Sequence, residues 1–314
     1  MFPWTSADAK DPTWPYKSSN PAELYNLDGV AYESLTIGFF SLFRGFVNGQ
    51  AESTGARTSA EHDEIYLGFS RDGFHWYRQF DGGDMQTGGA NPRRPFMDQS
   101  WPVHTFRNSG VQSAGGGLVL GKVRGEERLL FYASAQSGMP FDPHWTGGNS
   151  TMGLASLRRD GFTSVEAMLS GQPGSLATRP IVWDAAKPFL FLNAVVQTGG
   201  FLQVSVLDPG TNRTLAGFEA ARSTVGSLSP AIAGGCVPDG SPAFDSTRAA
   251  VSWPGASLAS VAGRPLRLRF TMVAASLYSF WVSGSACGAS GGVVGAGGPG
   301  LRRGRDMHGS CERI

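Results

Sequence analysis

The stretch from Tyr25 to Arg78 constrains this chain more than any other. It reads YNLDGVAYES, then LTIGFFSLFRG, then a polar loop, then EIYLGFSRDGFHWYR. Each apolar piece is short, rich in β-branched and aromatic residues, and bounded by Gly, Asp, Ser or Asn. That is the pattern of consecutive antiparallel strands. Asp72-Gly73 supplies a tight turn and Trp76 a large apolar anchor. The pattern then returns. VQSAGGGLVLG stands where YNLDGVAYES stood, followed by RLLFYASAQSG and TMGLASLRRDGFTSVEA, and Arg71-Asp72-Gly73-Phe74 reappears as Arg159-Asp160-Gly161-Phe162. A repeated meander of strands with a recurring turn predicts β-propeller blades.

The remaining composition agrees with an all-β chain. Charged residues are 16% and Gly reaches 44 of 314, which leaves little material for long solvated helices, and no stretch sustains helical periodicity. A net charge of +1 argues against nucleic acid as a partner. The opening MFPWTSADAKDPTWPYK has neither the basic nor the apolar region of a signal peptide. No apolar run approaches the roughly 18 residues of a membrane span. The compartment stays unknown, with an extracellular setting open for a longer protein. Cys236, Cys287 and Cys311 lack metal-ligand spacing and allow one disulfide with a thiol left over. Asn149-Ser150-Thr151 and Asn212-Arg213-Thr214 have the form of glycosylation acceptors.

In chain order, residues 1–22 read as an irregular lead-in and 23–170 as propeller blades. The long segment from Asp81 to Gly110 carries Arg93, Arg94, Asp98, Trp101, His104 and Arg107. That mix suits a polar ligand with apolar faces, or equally a loop packing its own aromatics. Gly115-Gly116-Gly117 inside a strand permits close approach of another backbone or a ligand; with no Lys-Ser/Thr following, it is not a phosphate loop. From 171 to 283, SLATRPIVW, PFLFLNAVV, GFLQVSVLD, TRAAVSWPG, PLRLRFTMV and LYSFWVS read as the strands of a β-sandwich. Alternation at Leu202, Val204, Val206 and at Leu266, Leu268, Phe270 puts one face on a core. The Gly-rich, then basic, segment 284–314 is expected to be disordered.

YNLDGVAYESLTIGFFSLFRG, EIYLGFSRDGFHWYR, VQSAGGG, STMGLASLRRDGF, LATRPIV and WPGASLASVAGRPLRLRFTMVAASLYSFWVS together resemble the glycoside hydrolase family 32 N-terminal-like proteins. The resemblance implies a five-bladed β-propeller related to invertase- and arabinanase-type glycosidases, followed by a β-sandwich. It covers about residues 20–283. It also implies a chain that starts just before the third blade, because nothing resembles the Asn-Asp-Pro or Arg-Asp-Pro stretches of the family's first two carboxylates. Catalysis by the chain as it stands is therefore in question.

The activity so implied is cleavage of an oligo- or polysaccharide, with no cofactor. Glycoside cleavage needs two carboxyl groups, one protonated and one ionised. The candidates in the first strand are Asp28, Glu33 and Glu23, with Asp28 foremost because a carboxylate among Leu27, Gly29 and Val30 is costly without a partner or a role. Tyr25, Gln112, Ser113, Trp101, His104 and Trp145 are candidates for holding sugar, by hydroxyl, amide or ring face. Asp72 and Asp160 are assigned to turns. A non-catalytic carbohydrate-binding protein is the second reading. A sialidase-like propeller is the third: SRDGFHW echoes the Ser-x-Asp-x-Gly-x-x-Trp turn, one residue short.

Overall fold

The computed structural model describes residues 4–12, 22–44, 62–78, 93–98, 110–137, 149–168, 172–226, 242–295, 301–302 and 305–307. Among the described residues strands dominate, with two short 3-10 turns, and no helix is long and apolar enough to cross a membrane. The chain forms two compact units, Met1–Ser156 with Gly292–Pro299, and Leu157–Gly291 with Gly300–Ile314.

In the first unit, β1 (Glu23–Glu33), β2 (Leu35–Arg44), β3 (His62–Ser70) and β4 (Trp76–Arg78) form an antiparallel meander. A second meander follows in β5 (Gly110–Val123), β6 (Glu126–Ser137) and β7 (Asn149–Arg158), joined to the first where β5 pairs with β3 in parallel. The sequence expectation of two successive meanders holds. Among the described residues the sheet does not close on itself.

The faces of the first meander follow strand alternation. Ile37, Phe39, Ser41 and Phe43 of β2 share one face with Asp63, Ile65, Leu67 and Phe69 of β3. Phe39 meets Phe131 of β6 with ring centroids 5.2 Å apart, and Ile65 exchanges backbone hydrogen bonds with Met97. The other face buries Phe40, Leu42 and Tyr66 against Ala22, Trp4 and Leu27. Across it, Gly29, Gly38 and Gly68 stand side by side on β1, β2 and β3. This trench receives the indole of Trp76; a Cβ on Gly38 would lie 2.5 Å from Trp76 Cζ3. The turn before Trp76 is held by its own side chains. Ser70 Oγ accepts from Gly73 N–H, Asp72 Oδ1 accepts from Phe74 and His75 N–H, and Trp76 Nε1 donates to the Gly73 carbonyl. Asp72 is thus a turn residue, as its type and place predict.

Among the described residues the second unit is built around an open antiparallel sheet. Its members are β8 (Val165–Ala167), β9 (Gly174–Ala177), β10 (Phe189–Leu207), β11 (Thr224–Val225), β12 (Phe244–Ser252) and β13 (Arg267–Ser283). The order is β11-β12-β10-β13-β8, with β9 also on β13. PFLFLNAVV and GFLQVSVLD, read from sequence as two strands, are one bent strand, β10, and PLRLRFTMV with LYSFWVS likewise forms most of β13. The bend lies where the register passes from Val196–Ala275 to Phe201–Val273, leaving Ala274 alone against four residues of β10. Leu202, Val204, Val206, Leu266, Leu268 and Phe270 are all buried, as their alternation predicts.

Disorder from residue 284 does not hold where the structure describes it. β14 (Val293–Val294) pairs with β1, and Val294 is buried. β15 (Leu301–Arg302) and β16 (Arg305–Asp306) form a small hairpin in which Asp306 is buried and paired with Arg159. A Gly-rich segment needs no long apolar run to add a strand, since backbone pairing on an existing edge supplies the contact. Cys287 is disulfide-bonded.

Candidate functional site

The bulge in β1 decides what the first meander presents. Tyr25 stands opposite Ser41 and Asp28 opposite Phe39, so Asn26 and Leu27 together face only Phe40. Asn26 takes a positive φ of 53°, which Asn tolerates better than most residues. Because the extra residue reverses the alternation, Tyr25 and Asp28, three apart in sequence, fall on the same face. Glu23, Tyr25 and Asp28 therefore share the face of Ser41 and Asp63.

One row across that face runs Glu23, Phe43, Asp63. Two strand spacings separate the carboxylate-bearing residues, roughly 10 Å between Cα atoms. In the next row Tyr25 donates its hydroxyl to Glu23 Oε2, and its ring stands edge-on to Phe43. Glu23 beside it, with burial and the charge of Asp63, pushes the Tyr25 phenol up to about 12. Asp63 accepts from Ser41 Oγ at 2.7 Å. Burial raises its carboxyl above the ordinary aspartate value, against the opposing effect of the Ser41 bond.

β5 crosses this region. Gly110 pairs with Asp63, and Gly115 lies against Asp28 so closely that a Cβ would fall 2.0 Å from Asp28 Oδ2. Glycine inside that strand thus admits the Asp28 side chain, where sequence suggested a backbone or a ligand. Gln112 and Ser113 lie on β5 between these two points.

The predicted site residues therefore separate. Glu23 and Tyr25 come together, with Asp63 and Ser41 joining them. Asp28 is on the same face but exposed, four β2 residues further along. Glu33 is at the far end of β1, in a left-handed conformation with φ 52°, opposite Val293; its place is the β1–β2 turn. Trp101, His104 and Trp145 lie outside the described residues. Asp63 was missed because EHD reads as the polar end of a loop before EIYLGFS. Its only signal in the sequence is its even spacing from Ile65 and Leu67.

Arg93, in a segment whose sequence suits either a ligand or a loop packing its own side chains, is buried. It pairs with Asp8 and Asp11, and Arg78 pairs with the same two carboxylates, at 2.7–2.9 Å. Arg93 beside it holds the Asp8 carboxyl well below the ordinary range. This network ties the lead-in to β4 and to the segment after the loop. Among the described residues no group of His, Cys, Asp or Glu side chains is arranged to hold a metal.

No protein-family model matches this chain, and comparison with curated proteins and with solved structures finds no match either.

Proposed function

We propose that this chain is a carbohydrate-active protein of glycosidase type, with Asp63 and Glu23 as the carboxyl pair and the two meanders as propeller-like blades followed by a sandwich-like module. The observation that carries this reading is the row Glu23–Phe43–Asp63, which sets two carboxylates on one face with Asp63 desolvated. In a hydrolytic step Asp63 in its protonated form, which burial favours, donates its proton to the glycosidic oxygen as the bond to the anomeric carbon breaks. Glu23 as carboxylate either activates the water or attacks the anomeric carbon. Tyr25 holds the Glu23 carboxylate, and Asp28 offers a hydroxyl-binding group beyond it. Family resemblance in the strand motifs supports the substrate class.

The test is hydrolysis of a panel of aryl glycosides and oligosaccharides by the parent chain, Asp63→Asn and Glu23→Gln. Each substitution keeps size and removes proton transfer, so kcat should fall by two or more orders of magnitude. Parent activity should also decline as pH rises through the elevated Asp63 pKa. Unchanged kcat in Asp63→Asn removes the pair from the mechanism. Glycan binding with no hydrolysis by the parent favours the non-catalytic binding protein.

A further inference from the structure

At the opposite end of the same sheet face, an open depression of about 410 Å³ is lined by Leu35, Phe69 and Tyr77 and rimmed by Arg71, Asp72 and His75. Phe69 and Tyr77 are cross-strand partners on β3 and β4, and Tyr77 is 66% exposed. The rim is polar but unequal in its charges. Asp72 is engaged by its own turn: one oxygen accepts two backbone N–H groups, and the other meets His75 Nδ1 at 2.7 Å. Arg71 is exposed and makes no ion pair or hydrogen bond among the described residues. The depression thus offers an aromatic face, an apolar floor and the Arg71 guanidinium, which has no ion pair among the described residues. The Asp72 carboxylate also raises the His75 pKa, so these two compensate each other and Arg71 carries the excess charge of this rim.

We infer that this depression is a subsite for a sugar ring bearing a carboxylate, a uronate, with the ring on Tyr77 and its carboxylate on Arg71. An aromatic face packs against the C–H groups of a pyranose. A planar guanidinium matches a carboxylate bidentately, which a neutral sugar cannot exploit. The volume falls within the range of small-ligand pockets. The inference rests on the carbohydrate reading above and narrows its substrate class to acidic glycans. Phe69 and Asp63 lie six residues apart on β3, roughly 20 Å, so the two sites are separately testable.

The experiment is calorimetric titration of the full chain with digalacturonate and with the neutral galactose disaccharide. Digalacturonate should bind at least tenfold tighter. Arg71→Leu should abolish that preference, and Tyr77→Ala should weaken both ligands. Equal affinity for the two disaccharides, no binding of digalacturonate, or a preference that survives Arg71→Leu overturns the subsite. The Asp63→Asn variant separates the two proposals. A uronate preference retained there, in a parent that hydrolyses nothing, leaves the subsite standing and removes the enzyme. Hydrolysis dependent on Asp63 without any uronate preference does the reverse.

Discussion

In the first unit Asp11, Glu64, Arg78 and Arg93 are all less than a tenth exposed, and three of them lie in networks that bind distant parts of the chain. The second unit gathers Leu192, Val204, Val206, Leu268 and Phe270 into a continuous apolar core, with Trp183 and Trp253 each donating Nε1 to a backbone carbonyl. Its described buried charges are Arg159 and Asp306, paired with each other. Apolar burial is tolerant of pH and of gradual change in shape, whereas buried ion pairs are costly to break singly. The first unit also carries the proposed site, and the same burial that raises the Asp63 carboxyl opposes folding while that group is ionised.

The contrast is sharpest in a pair of truncations. Asp11→Ala leaves Arg78 and Arg93 buried with the half-exposed Asp8 as their one remaining carboxylate among the described residues, and is expected to cost about 3–5 kcal/mol. Leu268→Ala opens a cavity in the second core at about 2–5 kcal/mol. Hydrogen exchange should show protection lost in β2–β4 for the first variant and in β10 and β13 for the second. Equal loss in both units from either change would erase the distinction.

Gly38→Ala tests the glycine trench. Its Cβ would meet Trp76 Cζ3 at 2.5 Å and Leu27 Cδ1 at 2.7 Å, so the indole must shift, at about 1–3 kcal/mol. A thermal melt of the variant would report it, together with the Trp76 emission obtained as the difference between spectra with and without Trp76→Phe, since the chain holds eight tryptophans. No change in either would mean that the trench is looser than its geometry.

The smallest expected effect has the opposite sign. The Asp63 folded pKa is raised, so the folded state binds its proton more readily than the unfolded chain. Its ionisation therefore weakens the fold as pH rises through that folded pKa. Asp63→Asn should raise the melting temperature of the first unit at neutral pH, and the advantage should shrink as pH falls through the Asp63 pKa. Asp8 runs the other way: its depressed pKa contributes stability that is lost as pH falls through the folded value. Measuring both variants, Asp63→Asn and Asp8→Asn, across pH separates the two contributions. A stability curve for Asp63→Asn parallel to the parent would contradict the desolvation of this carboxyl.

Much of the fold is legible in local pattern. β-branched and aromatic runs mark the strands, Ser70-Arg71-Asp72-Gly73 closes its turn with its own side chains, and alternation at Leu202, Val204 and Val206 names a buried face. These features depend on neighbours within a few residues, which is the range over which sequence acts directly. Glu23 and Tyr25 were visible on that basis as well. Residues read locally could not reveal that β10 and β13 each continue through a bend, because Gly199-Gly200 looks like a turn until a partner strand bridges it. Nor could they place Arg93 against Asp8 and Asp11, more than eighty residues away. Asp28 had the more persuasive sequence setting, and Asp63 sat in a polar run. The bulge at Asn26 and Leu27 and the pairing of β1, β2 and β3 put Glu23 and Asp63 in one row, and only burial by chain distant in sequence turned an ordinary aspartate into one with a raised pKa.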